Sequence, residues 1–159
     1  MASEKYPYSK KAFLPNLILL LAFAAVILII LLTTPADPIL GAGVIILVGL
    51  AIMVLGISPY LTDHELREDT LILRQGWYFK AEIPRKNIRA ARLSTWGPRK
   101  IGISFDVLSP TVRVTTRRHE VIELELHCPQ SFIWALGRRA DRVVFDTIYA
   151  ERLLTQLNG

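Results

Sequence analysis

From Leu17 to Leu32 the chain sets sixteen apolar residues in succession. A core helix of a soluble protein carries polar residues on its outer face at every turn, and this stretch has none. With its uncharged neighbours the run extends over 22 residues, Phe13 to Thr34. As a helix these cover ~33 Å, enough to cross a hydrocarbon layer of ~30 Å. A second run, Ile39 to Ile57, adds 19 uncharged residues, or ~28 Å of helix. Between them lies Thr33-Thr34-Pro35-Ala36-Asp37-Pro38. Its two prolines restrict φ and withhold backbone donors, so the first helix must stop and the chain must turn. The pattern predicts a transmembrane helical hairpin over residues 13–58, with spans at 13–34 and 39–58.

Basic residues orient the hairpin. Lys5, Lys10 and Lys11 precede the first span, the turn has no cation, and Arg67 and Arg74 follow the second. That distribution predicts a multi-pass protein of the cell (plasma) membrane with both termini cytoplasmic and residues 1–12 as a cytoplasmic tail. A secretory leader competes with this reading, since Thr34-Pro35-Ala36 offers a small-residue cleavage site, but the apolar run exceeds the usual 7–15 residues. In the second span Ala42, Gly49 and Gly56 recur every seven residues. Such a stripe lets a helix approach closely, either Ala22/Ala25 of the first span or a second copy of the chain.

The remainder reads as a soluble domain. Three lysines, Glu4 and Asp37 belong to the anchor and its tail, which leaves 16 Lys/Arg and 12 Asp/Glu, or +4, from Pro59 onward. A mild basic excess suits a surface near anionic headgroups. The single cysteine, Cys128, permits no internal disulfide and no multi-cysteine metal site. Short β-rich runs follow one another: Thr70–Gln75, Trp77–Ile83, Ile88–Ser94, Ile101–Val107, Thr111–Thr116 and Glu120–His127. Turn clusters separate them, and none is followed by a helix-length spacer, so an antiparallel meander is expected.

Alternation fixes a register for the last two runs. Val112 and Val114 share a face with Ile122 and Leu124 only if the connection holds an odd number of residues. A three-residue loop, Arg117-Arg118-His119, achieves this and sets Arg113 opposite Glu123. Beyond His127 the pattern becomes helical: Pro129 suits a first helical position, and Phe145, Tyr149 and Leu153 fall at i+4 steps over Val143–Leu157. The expected division is a β domain with a capping helix over 59–142 and a C-terminal helical extension over 143–159.

Several groups of residues resemble the membrane-anchored members of the bacterial pleckstrin-homology-like domain family. They are Tyr60-Leu61-Thr62-Asp63-His64-Glu65-Leu66, Thr70-Leu71-Ile72-Leu73-Arg74-Gln75-Gly76-Trp77, Ile83-Pro84-Arg85-Lys86-Asn87-Ile88 and Pro129-Gln130-Ser131-Phe132. The resemblance implies a mainly-β, partly open barrel or sheet capped by C-terminal helix.

Chemistry is sparse in the sequence. His127 and Cys128 are adjacent, so a strand turns them to opposite faces, and His64 reads as part of a solvated polar connector. There is no metal-ligand spacing, phosphate loop or nucleophile elbow. The chain is therefore expected to be no enzyme, with no cofactor, metal, small-molecule substrate or nucleic-acid partner. Two basic clusters are candidate contacts with a membrane surface or partner: Arg85, Lys86 and Arg89, and Trp96, Arg99 and Lys100. The second joins an aromatic ring to cations on a turn, a combination suited to the bilayer interface. The expected function is a membrane-tethered interaction or scaffold module, acting through a protein partner or self-association. The alternative is an electrostatic sensor of anionic lipid headgroups.

Overall fold

The computed structural model describes residues 3–35, 37–95, 97 and 100–158. The chain divides into two compact units. One takes Lys10–Leu61 and Gly76–Tyr78, the other Met1–Ser9, Thr62–Gln75 and Phe79–Gly159.

The first unit is the helix pair. Helix α1 spans Leu14–Thr33, and α2, Pro38–Ala51, continues through a π-helical turn, Ile52–Ile57, into a short α3, Ser58–Leu61. The two continuous helical stretches, Lys10–Thr33 and Pro38–Leu61, are each 24 residues long and apolar enough to cross a membrane. Asp37, the lone ionisable residue of the apolar region, caps α2: its carboxylate accepts from the N–H groups of Ile39 (2.8 Å) and Leu40 (3.1 Å). Pro38 follows at the first helical position, where its missing N–H costs nothing. Leu19, Phe23, Ile39 and Leu47 stand more than half exposed, so the apolar side chains radiate outward.

Of the expected stripe of small residues, Gly56 alone closely meets the first helix, and it does so away from Ala22 and Ala25. Ala42 and Gly49 are exposed. Gly56 makes the close approach: a Cβ there would lie 2.8 Å from Leu17 Cδ1 and 3.5 Å from Leu20 Cδ1, a full turn from Ala22 and Ala25. At the base of the pair the Lys10 ammonium donates to Pro59 O (3.0 Å). Ser58 Oγ donates to Val54 O (2.5 Å) and accepts from Trp77 N–H (2.9 Å). Gly76, at φ +64°, cannot be replaced there, because a Cβ would meet Ser58 Oγ at 2.7 Å.

The second unit contains nine strands, one α-helix and two short 3-10 turns among the described residues. The first sheet runs β1 (Glu4–Tyr6), β2 (His64–Leu66), β3 (Thr70–Gln75), β4 (Phe79–Pro84), all antiparallel. The second has the order β5 (Ile88–Ser94), β8 (Val121–Ser131), β9 (Arg139–Phe145), β7 (Thr111–Thr115), β6 (Gly102–Asp106), with β7 and β9 parallel. Helix α4, Ala150–Asn158, ends the described chain. The core is built from Tyr6, Leu71, Leu73, Phe79, Ile83, Ile122, Leu124, Val143 and Phe145, all essentially inaccessible. A helix pair joined to a mainly-β domain is therefore the architecture.

Four expectations are corrected. Residues 4–6 are not a free tail but strand β1, with Tyr6 fully buried. The stretch from Pro129 is not a helix start; it continues β8 across a register irregularity between Glu125 and Gln130, where a residue without an N–H does no harm. The extension from 143 is strand up to Phe145, and helix begins only at Ala150. Finally, β7 and β8 do not pair as a hairpin. Strand β9 lies between them, with Val143 opposite both Val112 and Leu124. The aliphatic sets still share one buried face. Arg113 pairs with Asp106 (2.9 Å) and Glu123 with Arg92 (3.4 Å), so the Arg113–Glu123 contact does not form.

The C-terminal helix is stitched into the domain. Leu153 and Ala150 face the core. Gln156 accepts from Tyr6 OH (2.7 Å) and donates to Glu4 (2.5 Å), and its carbonyl accepts from Arg85 (2.6 Å). Arg152 pairs with Glu4, and Asn158 donates to Ala91 O (3.3 Å). Together these contacts lock β1 and β5 to one helix.

Candidate functional site

The predicted contact residues are not one patch. Trp96 and Arg99 lie outside the described residues. Arg85 is an internal tie, donating to Gln156 O and, at 3.4 Å, to Glu68 O. Lys86 and Arg89 are exposed, beside and on β5. Lys100 is exposed just before β6. Since β5 and β6 are the opposite edges of the second sheet, the first cluster and Lys100 are separated by three strands.

The sequence did not point to a groove between β5 and the start of α4. It holds about 380 Å³ and is lined by Leu93, Arg117, Glu120, Ile148, Tyr149 and Arg152, among others. Leu93, Ile148 and Tyr149 expose 40%, 53% and 53% of their surface, so apolar contact area is on offer beside charges of both signs. Arg117 forms its polar wall. Its guanidinium donates to Thr147 O, lies 3.3 Å from Glu120 and 3.4 Å from Asp146.

Asp146 is fully buried behind that wall. Its carboxylate accepts from the Thr116 N–H (2.5 Å) and hydroxyl (2.6 Å). Burial pushes the carboxyl above its ordinary range, opposed by the Thr116 hydrogen bonds and the Arg117 charge. The Asp146 carbonyl meets His64 Nε2 at 3.1 Å. Because His64 Nδ1 accepts from the Arg74 N–H (3.1 Å), the ring proton sits on Nε2 and donates to Asp146. His64 is thus 1% exposed, contrary to the solvated connector expected. It lies between the rings of Tyr8 (5.1 Å) and Phe145 (5.4 Å), and Tyr8 OH bonds Thr62 Oγ1 at 2.8 Å. Thr147 Oγ1 and Ile148 N–H both donate to Pro7 O, at 2.9 and 2.8 Å.

The arrangement therefore spends its most reactive side chains on internal bonds and leaves apolar and ionic surface outside. A signal for it existed in the sequence: Asp146-Thr147 interrupts the apolar stretch from Val143 to Ile148, where an acid demands buried partners. No family model, no curated protein and no solved structure matches the chain.

Proposed function

We propose that the chain is a non-enzymatic, membrane-tethered interaction module with a pleckstrin-homology-like β domain at the cytoplasmic face of the cell membrane. One observation carries the reading: β1, which precedes the helix pair, is paired with β2, which follows it. Both flanks of the apolar helices are thereby built into one folded unit. A chain that crosses a bilayer twice returns its flanks to one side, as this requires. The lysines before α1 and the absence of cations from the turn support the cytoplasmic side.

On this reading the groove beside α4 receives a protein segment, from a partner or from another copy. Its volume suits one or two side chains, and Leu93, Ile148 and Tyr149 supply apolar area beside the internally paired charges of Arg117 and Arg152. A photo-reactive amino acid in place of Ile148, in the full chain in its native membrane, is expected to give protein adducts of discrete mass. Leu93→Asp should abolish them. Adducts equally abundant from the remote exposed position His127, or none at all, would remove the groove from consideration.

A further inference from the structure

Each sheet ends in two edge strands, and three of the four are engaged by another element. Helix α4 holds β1 through Tyr6 and Glu4, and β5 through Ala91 O. The Gln130 side chain, from β8, donates to Glu82 O on β4. Strand β6 is the exception. It closes the second sheet beyond β7, and no described residue bonds its outward backbone.

A bare sheet edge attracts other strands, and proteins ordinarily blunt it with proline, lysine, a bulge or extreme shortness. From Gly102 to Asp106, β6 has no proline and no lysine, and it pairs with β7 in unbroken register. Its one charge, Asp106, is held by Arg113 (2.9 Å). A Cβ at Gly102 would find nothing within 4 Å, so another backbone can come close. An open recess of about 560 Å³, lined by Lys100, Ser104, Phe105, Asp106 and Arg113 among others, accompanies the strand.

The sequence of the edge selects its partner. Lys100 is exposed just before β6, and Asp106 ends it. An antiparallel copy, placed about a two-fold axis at Ile103, sets Lys100 beside Asp106 of the second copy and repeats the pair by symmetry. Between these charges Ile101 meets Phe105 of the second copy, Gly102 meets its Ser104, and Ile103 meets its own counterpart. Ile103 and Phe105 lie opposite Val114 and Val112, both buried, so the joined strands carry one apolar row from copy to copy.

We infer that β6 pairs antiparallel with β6 of a second copy in the same membrane, joining the two second sheets edge to edge. The inference rests on the reading that the chain is a membrane-tethered interaction module, and it names a second copy as the occupant of a surface apart from the groove. Strands of five residues bury far less than the ~1,200 Å² of a stable free complex, so two untethered domains stay apart. Tethered copies share one membrane, which raises their effective concentration enough for a small contact to form.

The test uses the full chain with Cys128→Ser in membranes isolated from the expressing cells. Across such a pair the two Ile103 Cα atoms stand ~5 Å apart, within disulfide reach. Under mild oxidation Ile103→Cys should give about tenfold more disulfide-linked dimer than Arg89→Cys on the opposite edge strand, β5. Adding Lys100→Glu, which sets two acids together, should cut the yield at 103 several-fold and leave that at 89 unchanged. Ile103 is half-buried, so a second probe is placed at the exposed Ile101. A photo-reactive amino acid there should yield an adduct of twice the chain mass, diminished by Lys100→Glu. Equal yields at 103 and 89, or indifference to Lys100→Glu, would overturn the pairing. An adduct of any other mass at 101 would overturn it too, by seating a different protein on the edge. Chain stripped from the membranes by alkaline washing would defeat the tether, whereas retained chain with neither dimer would defeat the edge pairing alone.

Discussion

Asp146 places an acid where water cannot reach it, and the physics of that choice is measurable. Its folded-state carboxyl titrates above the ordinary range, chiefly through burial. Between the ordinary and the raised value the folded chain binds more protons than the unfolded one, so this residue's contribution to stability falls as pH rises through that window. Asp146→Asn keeps an acceptor for the Thr116 N–H and removes the titration. Its stability relative to the parent chain is therefore expected to improve with rising pH across the window, read by urea unfolding in detergent at a series of pH values. A difference independent of pH would mean that Asp146 is not the buried acid described. The residue was hard to see in the sequence because it stands within an apolar stretch that reads as helix. His64 is concealed for a related reason: between Asp63 and Glu65 it looks solvated, and only the fold encloses it between Tyr8 and Phe145.

The strands whose side chains alternate cleanly were legible, and those that break the rule were not. Lys80 and Glu82 alternate with Phe79, Ala81 and Ile83 along β4, and the exposed and buried sets follow. Strand β9 hides its buried Ala140, Val143 and Phe145 among arginines, so its helix-like composition prevailed. Composition conceals β9, so alternation alone sets β7 beside β8, and the aliphatic face they share is the one the fold buries. Leu124, fully buried beside Val143, should cost ~2–4 kcal/mol when replaced by alanine, against under ~1 for Glu123, whose pairing with Arg92 is at the surface. Chemical denaturation followed by tryptophan fluorescence distinguishes the two, and equal losses would refute the register.

For the whole molecule, the helix pair was plain from sixteen apolar residues and two prolines, whereas the groove beside α4 needs residues from β5, the β7–β8 connection and the C-terminal segment at once. No local pattern announces such a site. Topology is testable with the chain's own thiol. Cys128 is exposed on the domain, and a membrane-impermeant maleimide should reach it only from the cytoplasmic side. With Cys128→Ser and Asp37→Cys, labelling should occur only from outside. Asp37→Cys labelled only from the cytoplasm would contradict a hairpin that crosses the bilayer.

The pairing of Tyr6 with His64 makes the helix pair an excursion of the chain between two neighbouring strands of a sheet. Excision of residues 10–61, bridged by a few glycines and serines, leaves every strand of that sheet its neighbour. The product is expected to be a soluble monomer whose β3 and β8 amides exchange slowly. A fragment starting at Tyr60 fares differently. It bares β2 as a raw edge and takes Glu4 and Tyr6 away from Arg152 and Gln156, so it should aggregate or exchange quickly. Equal protection in the two would show that β1 is dispensable. During synthesis the same geometry imposes an order: the first strand emerges before either helix and waits, unpaired, until the chain has passed through both.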